Sequence, residues 1–132
     1  MASRFDTLPM RLRAVSVEKH IGDIPTLLVR QDDQPRPFII WLHGRTADKE
    51  LDPGRYLRYV RRGINVCAVD LPGHGQRFVS ELQEPQRILE VIQTMVGEFD
   101  GLLEGLESIG GFDMNKAAIG GMSAGGIAST LR

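Results

Sequence analysis

The chain has 132 residues, of which 42% are hydrophobic and 25% charged, with a formal net charge of −1. That is enough apolar material for one small domain with a core, while the balanced charge gives no electrostatic case for nucleic acid or an anionic membrane surface. One cysteine excludes an internal disulfide, and no apolar run approaches membrane-spanning length.

Residues 1–6 lead into a proline and charged residues, with no apolar leader, so cytoplasm is the expected compartment. Residues 14–18 alternate as a half-exposed strand, and residues 24–29 read as its partner across an antiparallel turn at Gly22 and Asp23. His20 lies in this region and reads as surface or packing. After a polar connection over 31–37, residues 38–42 form a continuous apolar run, the mark of a buried parallel strand, ending in His43-Gly44-Arg45.

A helix is expected from Pro53, with Tyr56, Leu57, Tyr59 and Val60 set among arginines and Gly63 as its C-cap. Arg55, Arg58, Arg61 and Arg62 read as its solvated face. Residues 64–69 are a second buried run, containing Cys67 as an inert core thiol and ending in Asp70-Leu71-Pro72-Gly73-His74-Gly75. The separation of the two runs suits one crossover unit. Residues 86–109 carry Ile88, Ile92, Met95, Val96, Phe99, Leu102, Leu103 and Leu106 at helical spacing, with Gly97 and Gly101 marking a bend. A short buried strand is expected over 117–120 and a small-residue helix over 124–131, joined by Gly121-Met122-Ser123-Ala124-Gly125.

This G-x-S-x-G pentapeptide between strand and helix has a chemical reading. A serine hydroxyl needs a base to accept its proton and donors to hold the oxyanion formed on attack. A sharp strand-to-helix turn lifts the hydroxyl above the sheet, and small residues two before and two after it let the strand and helix approach. The plain alternative is a loop whose serine caps a helix. An apolar strand before the pentapeptide and a helix after it favour the catalytic reading.

Taken in order, the strand ending in His-Gly-x, the strand ending in Asp-x-Pro-Gly-His-Gly and the G-x-S-x-G turn resemble the α/β-hydrolase superfamily. The likeness is to compact bacterial carboxylesterases of the dienelactone hydrolase and prolyl oligopeptidase-like branch, over residues 37–132. It implies an α/β fold, a mostly parallel sheet with flanking helices, forming the amino-terminal part of a hydrolase domain over residues 1–132. By this resemblance Ser123 is the nucleophile and the backbone N–H of Ala124 is one oxyanion donor. The backbone N–H of Arg45 is the second, with His43, Gly44, Gly121 and Gly125 supporting the motif. His43 and His74 are structural in this pattern.

The acid and histidine of such enzymes follow the serine, and no His, Asp or Glu follows Ser123 in this chain. The triad is therefore expected to be completed beyond Arg132, and the chain as given is expected to be inactive alone. The implied activity is cleavage of a small-molecule ester or related acyl bond through an acyl-enzyme on Ser123. Dienelactone hydrolases use cysteine at this turn, so their lactone chemistry does not carry over. The alternative is a non-catalytic hydrolase fragment or interaction remnant.

No cofactor is implied. His20, His43 and His74 lack zinc-ligand spacing, and residues 120–126 lack a phosphate-loop lysine and a dinucleotide fingerprint. Neither nucleic acid nor membrane is an expected partner, and nothing in the residues specifies an oligomeric state.

Overall fold

The structure, a computed structural model, describes residues 2–131. In chain order its elements are α1 (Met10–Arg13), β1 (Ser16–Ile21), β2 (Ile24–Val29), β3 (Arg36–Leu42) and α2 (Pro53–Arg61), then β4 (Asn65–Val69), α3 (Ile88–Ile109), β5 (Phe112–Gly121) and α4 (Ala124–Thr130). Single 3₁₀ turns occur at Phe5–Thr7, Gly75–Arg77, Ser80–Gln83 and Pro85–Arg87.

The five strands form one sheet in the order β1-β2-β4-β3-β5. Its inner part is parallel, β3 pairing with both β4 and β5, while β1 and β2 add an antiparallel hairpin at one side. The hairpin register sets Ile21 opposite Ile24, so Gly22 and Asp23 alone make the turn, with Gly22 at φ 60°. That φ is in the left-handed region where glycine carries no steric penalty.

Two separate cores explain why the buried strands read as unbroken apolar runs. Side chains alternate across a strand, so Leu28, Ile40, Leu42, Cys67 and Val69 face α3 with Met95, Phe99, Leu102 and Leu106. Leu27, Val29, Trp41, Val66 and Ala68 point the other way, against Leu8, Leu12, Tyr56 and Val60. A sheet covered on both faces leaves no polar side to its central strands. Cys67 is fully buried, and burial pushes its thiol well above the usual range.

Helix α2 ends as expected. The Gly63 N–H bonds Val60 O and the Ile64 N–H bonds Tyr59 O, with Gly63 at φ 78°. These are the two bonds of a Schellman motif.

Several expectations are corrected. The first strand begins at Ser16, because Pro9 opens a short helix that buries Leu12 and carries the chain through Arg13. Val17 is exposed. Helix α3 runs through Gly97 and Gly101 without interruption. The strand entering the pentapeptide is ten residues long and buried only at Phe112: Ala117 and Ala118 are exposed, β5 being at the end of the strand order among the described residues. Its ladder with β3 slips between Arg36–Phe112 and Phe38–Ala117, so residues 113–116 bulge out. Arg55 departs from the solvated-face reading. It stacks 4.2 Å from the Trp41 ring centroid and pairs with Asp52 at 2.6 Å. Among the described residues, no helix is long and apolar enough to cross a membrane.

Candidate active site

The parallel strands β3, β4 and β5 deliver three loops to the same, carboxyl-terminal edge of the sheet, where open α/β sheets hold their ligands. Residues 43–50 follow β3, residues 70–77 follow β4, and the pentapeptide follows β5.

Ser123 has φ 54° and ψ −118°. Only Thr46, at φ 66°, is another non-glycine residue with positive φ among the described residues. Such backbone costs of the order of 1–3 kcal/mol and persists where its surroundings enforce it. Here the enforcement is visible. The Met122 N–H bonds Leu42 O at 3.0 Å, tying the turn to the end of β3, and the Gly125 N–H bonds Met122 O at 2.9 Å. The Ile127 N–H then bonds Ser123 O at 3.0 Å as α4 begins.

The flanking glycines are there for close approach. A Cβ on Gly125 would collide with the carbonyl oxygens of Leu42 and His43, and one on Gly121 with the Gly125 backbone. A Cβ on Gly44 would lie 3.3 Å from both the Ser123 Cβ and the Met122 carbonyl oxygen, so the β3 loop abuts the serine turn directly. Ser123 is exposed, while Ala124 and Gly125 are buried behind it. A recess of about 170 Å³ opens beside it, lined by Arg45, Pro85, Ile88, Ser123, Ala124 and Ile127.

His43 and His74 are buried, with ring centroids 5.3 Å apart. His43 uses both nitrogens: Nε2 accepts the Leu71 N–H at 2.9 Å, and Nδ1 lies 2.7 Å from the Gly44 carbonyl oxygen. The pair of bonds assigns the proton to Nδ1. His43 thus staples the β3 loop to the β4 loop and has no nitrogen left for a serine proton. His74 Nδ1 lies 2.9 Å from Pro72 O, and its Nε2 is buried without a partner among the described residues. His20 is exposed on β1, at the far side of the sheet order from β5.

Burial is the main reason the His43 imidazole is held down at about 4, against an ordinary value of 6.5; His74 pushes the same way and the Gly44 bond opposes. His74 is lowered as well, again chiefly by burial. Because the folded value lies below the unfolded one, the unfolded chain binds more protons between them, and stability rises with pH. The stability tied to neutral His43 is intact above about pH 6.5 and is lost as pH falls through about 4, on the order of 3 kcal/mol in full. Urea midpoints at pH 7 and pH 4.5 check this. The wild-type chain is expected to lose more stability between them than His43→Gln, and equal losses would contradict the assignment.

The sequence reading missed the cluster beneath these loops. Lys49 is fully buried and its ammonium reaches Asp70 Oδ2 at 3.1 Å, Glu50 Oε2 at 3.1 Å and Gln76 Oε1 at 2.8 Å. The Asp70 carboxylate also accepts the Lys49 N–H at 2.9 Å and the Gln76 N–H at 2.9 Å. Tyr56 donates to Lys49 O at 2.8 Å, and Arg4 N–H donates to Glu50 at 2.9 Å. Arg77 completes the frame, donating to Asp70 O at 2.7 Å and pairing with Glu98 of α3 at 2.7 Å. The motif aspartate was in view as the end of β4, but its partner lies 21 residues away and no local pattern marks it.

No family model matches the chain. It is 27% identical over 123 residues to the esterase YjfP of Escherichia coli strain K12, a match spanning 83% of this chain and 47% of that protein. In structure it is similar to TT1662 from Thermus thermophilus, with a TM-score of 0.70, 22% identity and coverage of 88% of this chain and 49% of that one. It is also similar to a cold-adapted esterase from an Arctic intertidal metagenomic library, with a TM-score of 0.64, 21% identity and coverage of 83% and 50%. The chain spans about half the length of each. Its fold matches about half of the α/β-hydrolase fold of these structures, and it resembles esterases and dienelactone hydrolase-like proteins.

Proposed function

We propose that this chain carries the nucleophile and the oxyanion site of a carboxylesterase-type serine hydrolase. The observation that supports it best is the strained backbone of Ser123, held by the Met122–Leu42 bond directly against the Gly44 loop. In this reading the Ser123 Oγ adds to an ester carbonyl, its proton passing to a base, and the resulting oxyanion is held by the backbone N–H groups of Ala124 and Arg45. Collapse of the intermediate expels the alcohol and leaves an acyl-enzyme on Ser123, which water hydrolyses.

The base is not His43, whose two nitrogens are engaged, and no histidine or carboxylate follows Ser123 in this chain. Catalysis without the base falls to the residual rate that an oxyanion site and binding supply. Both acylation and deacylation need that base, so the chain by itself is expected to acylate slowly and to turn over little. A fluorophosphonate is expected to form one covalent adduct per folded chain, slowly, and Ser123→Ala is expected to abolish it. An adduct that survives in Ser123→Ala would overturn the assignment of the nucleophile.

A further inference from the structure

We propose that Arg45 makes the recess beside Ser123 selective for esters that carry an anionic group a few atoms from the scissile carbonyl. The proposal deepens the hydrolase reading and rests on it for the role of Ser123, but its observable is binding.

Arg45 Nη1 donates to the Gln83 carbonyl oxygen at 2.8 Å, which carries the side chain from the β3 loop to the 3₁₀ turn ending at Gln83. Pro85, two residues on, lines the recess together with Arg45 and Ser123. Arg45 thus lines the recess with its guanidinium tied at one end to the Gln83 turn. A guanidinium has five donors in a planar fork suited to a carboxylate or similar anion. Only the Gln83 carbonyl takes one of them among the described residues.

Arg45 shares the lack of a carboxylate partner with Arg11, Arg13, Arg30, Arg58, Arg61 and Arg62 among the described residues, but of these it is the one that lines the recess beside Ser123. Arg4, Arg36, Arg55, Arg77 and Arg87 each pair with a carboxylate, whereas Arg45 pairs with none among the described residues. The acids of the neighbouring segment are drawn elsewhere. Glu84 accepts from Gln86 at 3.2 Å, and Glu90 pairs with Arg87 at 2.7 Å.

The rest of the recess is apolar, formed by Pro85, Ile88, Ala124 and Ile127. Apolar neighbours beside a guanidinium offer contact to an apolar spacer while leaving the charged fork to an anion. The recess is small, about 170 Å³, which suits a short chain between carbonyl and anion. Acyl and anion are therefore recognised together: an apolar spacer in the recess, a negative end on Arg45.

The test is a titration followed by amide chemical shifts, with monomethyl glutarate and its neutral counterpart dimethyl glutarate as probes. The monoester is expected to perturb the amides of residues 44–46, 83–84 and 123–127 and to bind at least fivefold more tightly than the diester. Arg45→Met should remove that preference, and Arg45→Lys should retain part of it. Equal affinity for the two probes, no binding of either, or a preference that persists in Arg45→Met would each overturn the proposal. Failure of the hydrolase reading shows separately, as absence of the Ser123 adduct, and leaves this titration intact.

Discussion

Lys49→Met is expected to cost about 3–5 kcal/mol of folding stability, because it strips the cation from a fully buried carboxylate and leaves Asp70 uncompensated. For a domain whose total stability is ~5–15 kcal/mol, that is a large share. The substitution also removes the ammonium that joins Glu50, Asp70 and Gln76, so the β3 and β4 loops lose their common anchor. The Lys49 and Gln76 backbone donors to Asp70 remain. Lys49→Met/Asp70→Asn should therefore recover part of the loss, since asparagine keeps an acceptor and sheds the charge. Urea midpoints of the two variants check both statements. A single variant within 1 kcal/mol of the wild type would mean that the pair is not desolvated as described.

The second large effect lies at the serine turn. Gly125→Ala is expected to destabilise by about 3 kcal/mol, the upper end of the usual overpacking range. The added methyl meets the Leu42 and His43 carbonyl oxygens, which are main-chain atoms and cannot rotate away. Gly97→Ala is the matched control. It is also glycine to alanine, but in the interior of α3 with nothing within 4 Å of the new Cβ. There alanine's better helix propensity should stabilise by roughly 0.5–1 kcal/mol. Opposite signs for one chemical change at two sites, read from denaturation midpoints, would isolate close approach as the reason for the glycine. The same sign at both would contradict it.

Where a residue's environment follows from its own strand or helix, the sequence was a sufficient guide. The runs ending at Leu42 and Val69 announced doubly buried strands, and Gly63 announced the end of α2, since these depend on period and local backbone. The serine pentapeptide was legible for the same reason: its glycines are read within five residues. What escaped is set by partners distant in the chain. The exposure of Ala117 and Ala118 depends on β5 being at the end of the strand order, which no property of the segment encodes. Lys49 reads as an ordinary loop lysine until the fold brings Asp70 to it, and Arg55 as a surface charge until Trp41 lies beneath it. Helix α1 is too short for a periodic signal, so Val15 and Val17 suggested a strand running through both.

On the proposed reading, the fold itself presents Ser123 for attack by holding its backbone in a strained turn against the Gly44 loop. The most direct measurement is the adduct mass and modified peptide after fluorophosphonate treatment of the same chain, folded in buffer and unfolded in urea. One adduct is expected on Ser123 in the folded chain and none at that residue in the unfolded one. Equal modification in both states, or modification spread over Ser80, Ser108 and Ser129 as well, would show that the turn confers nothing on this serine.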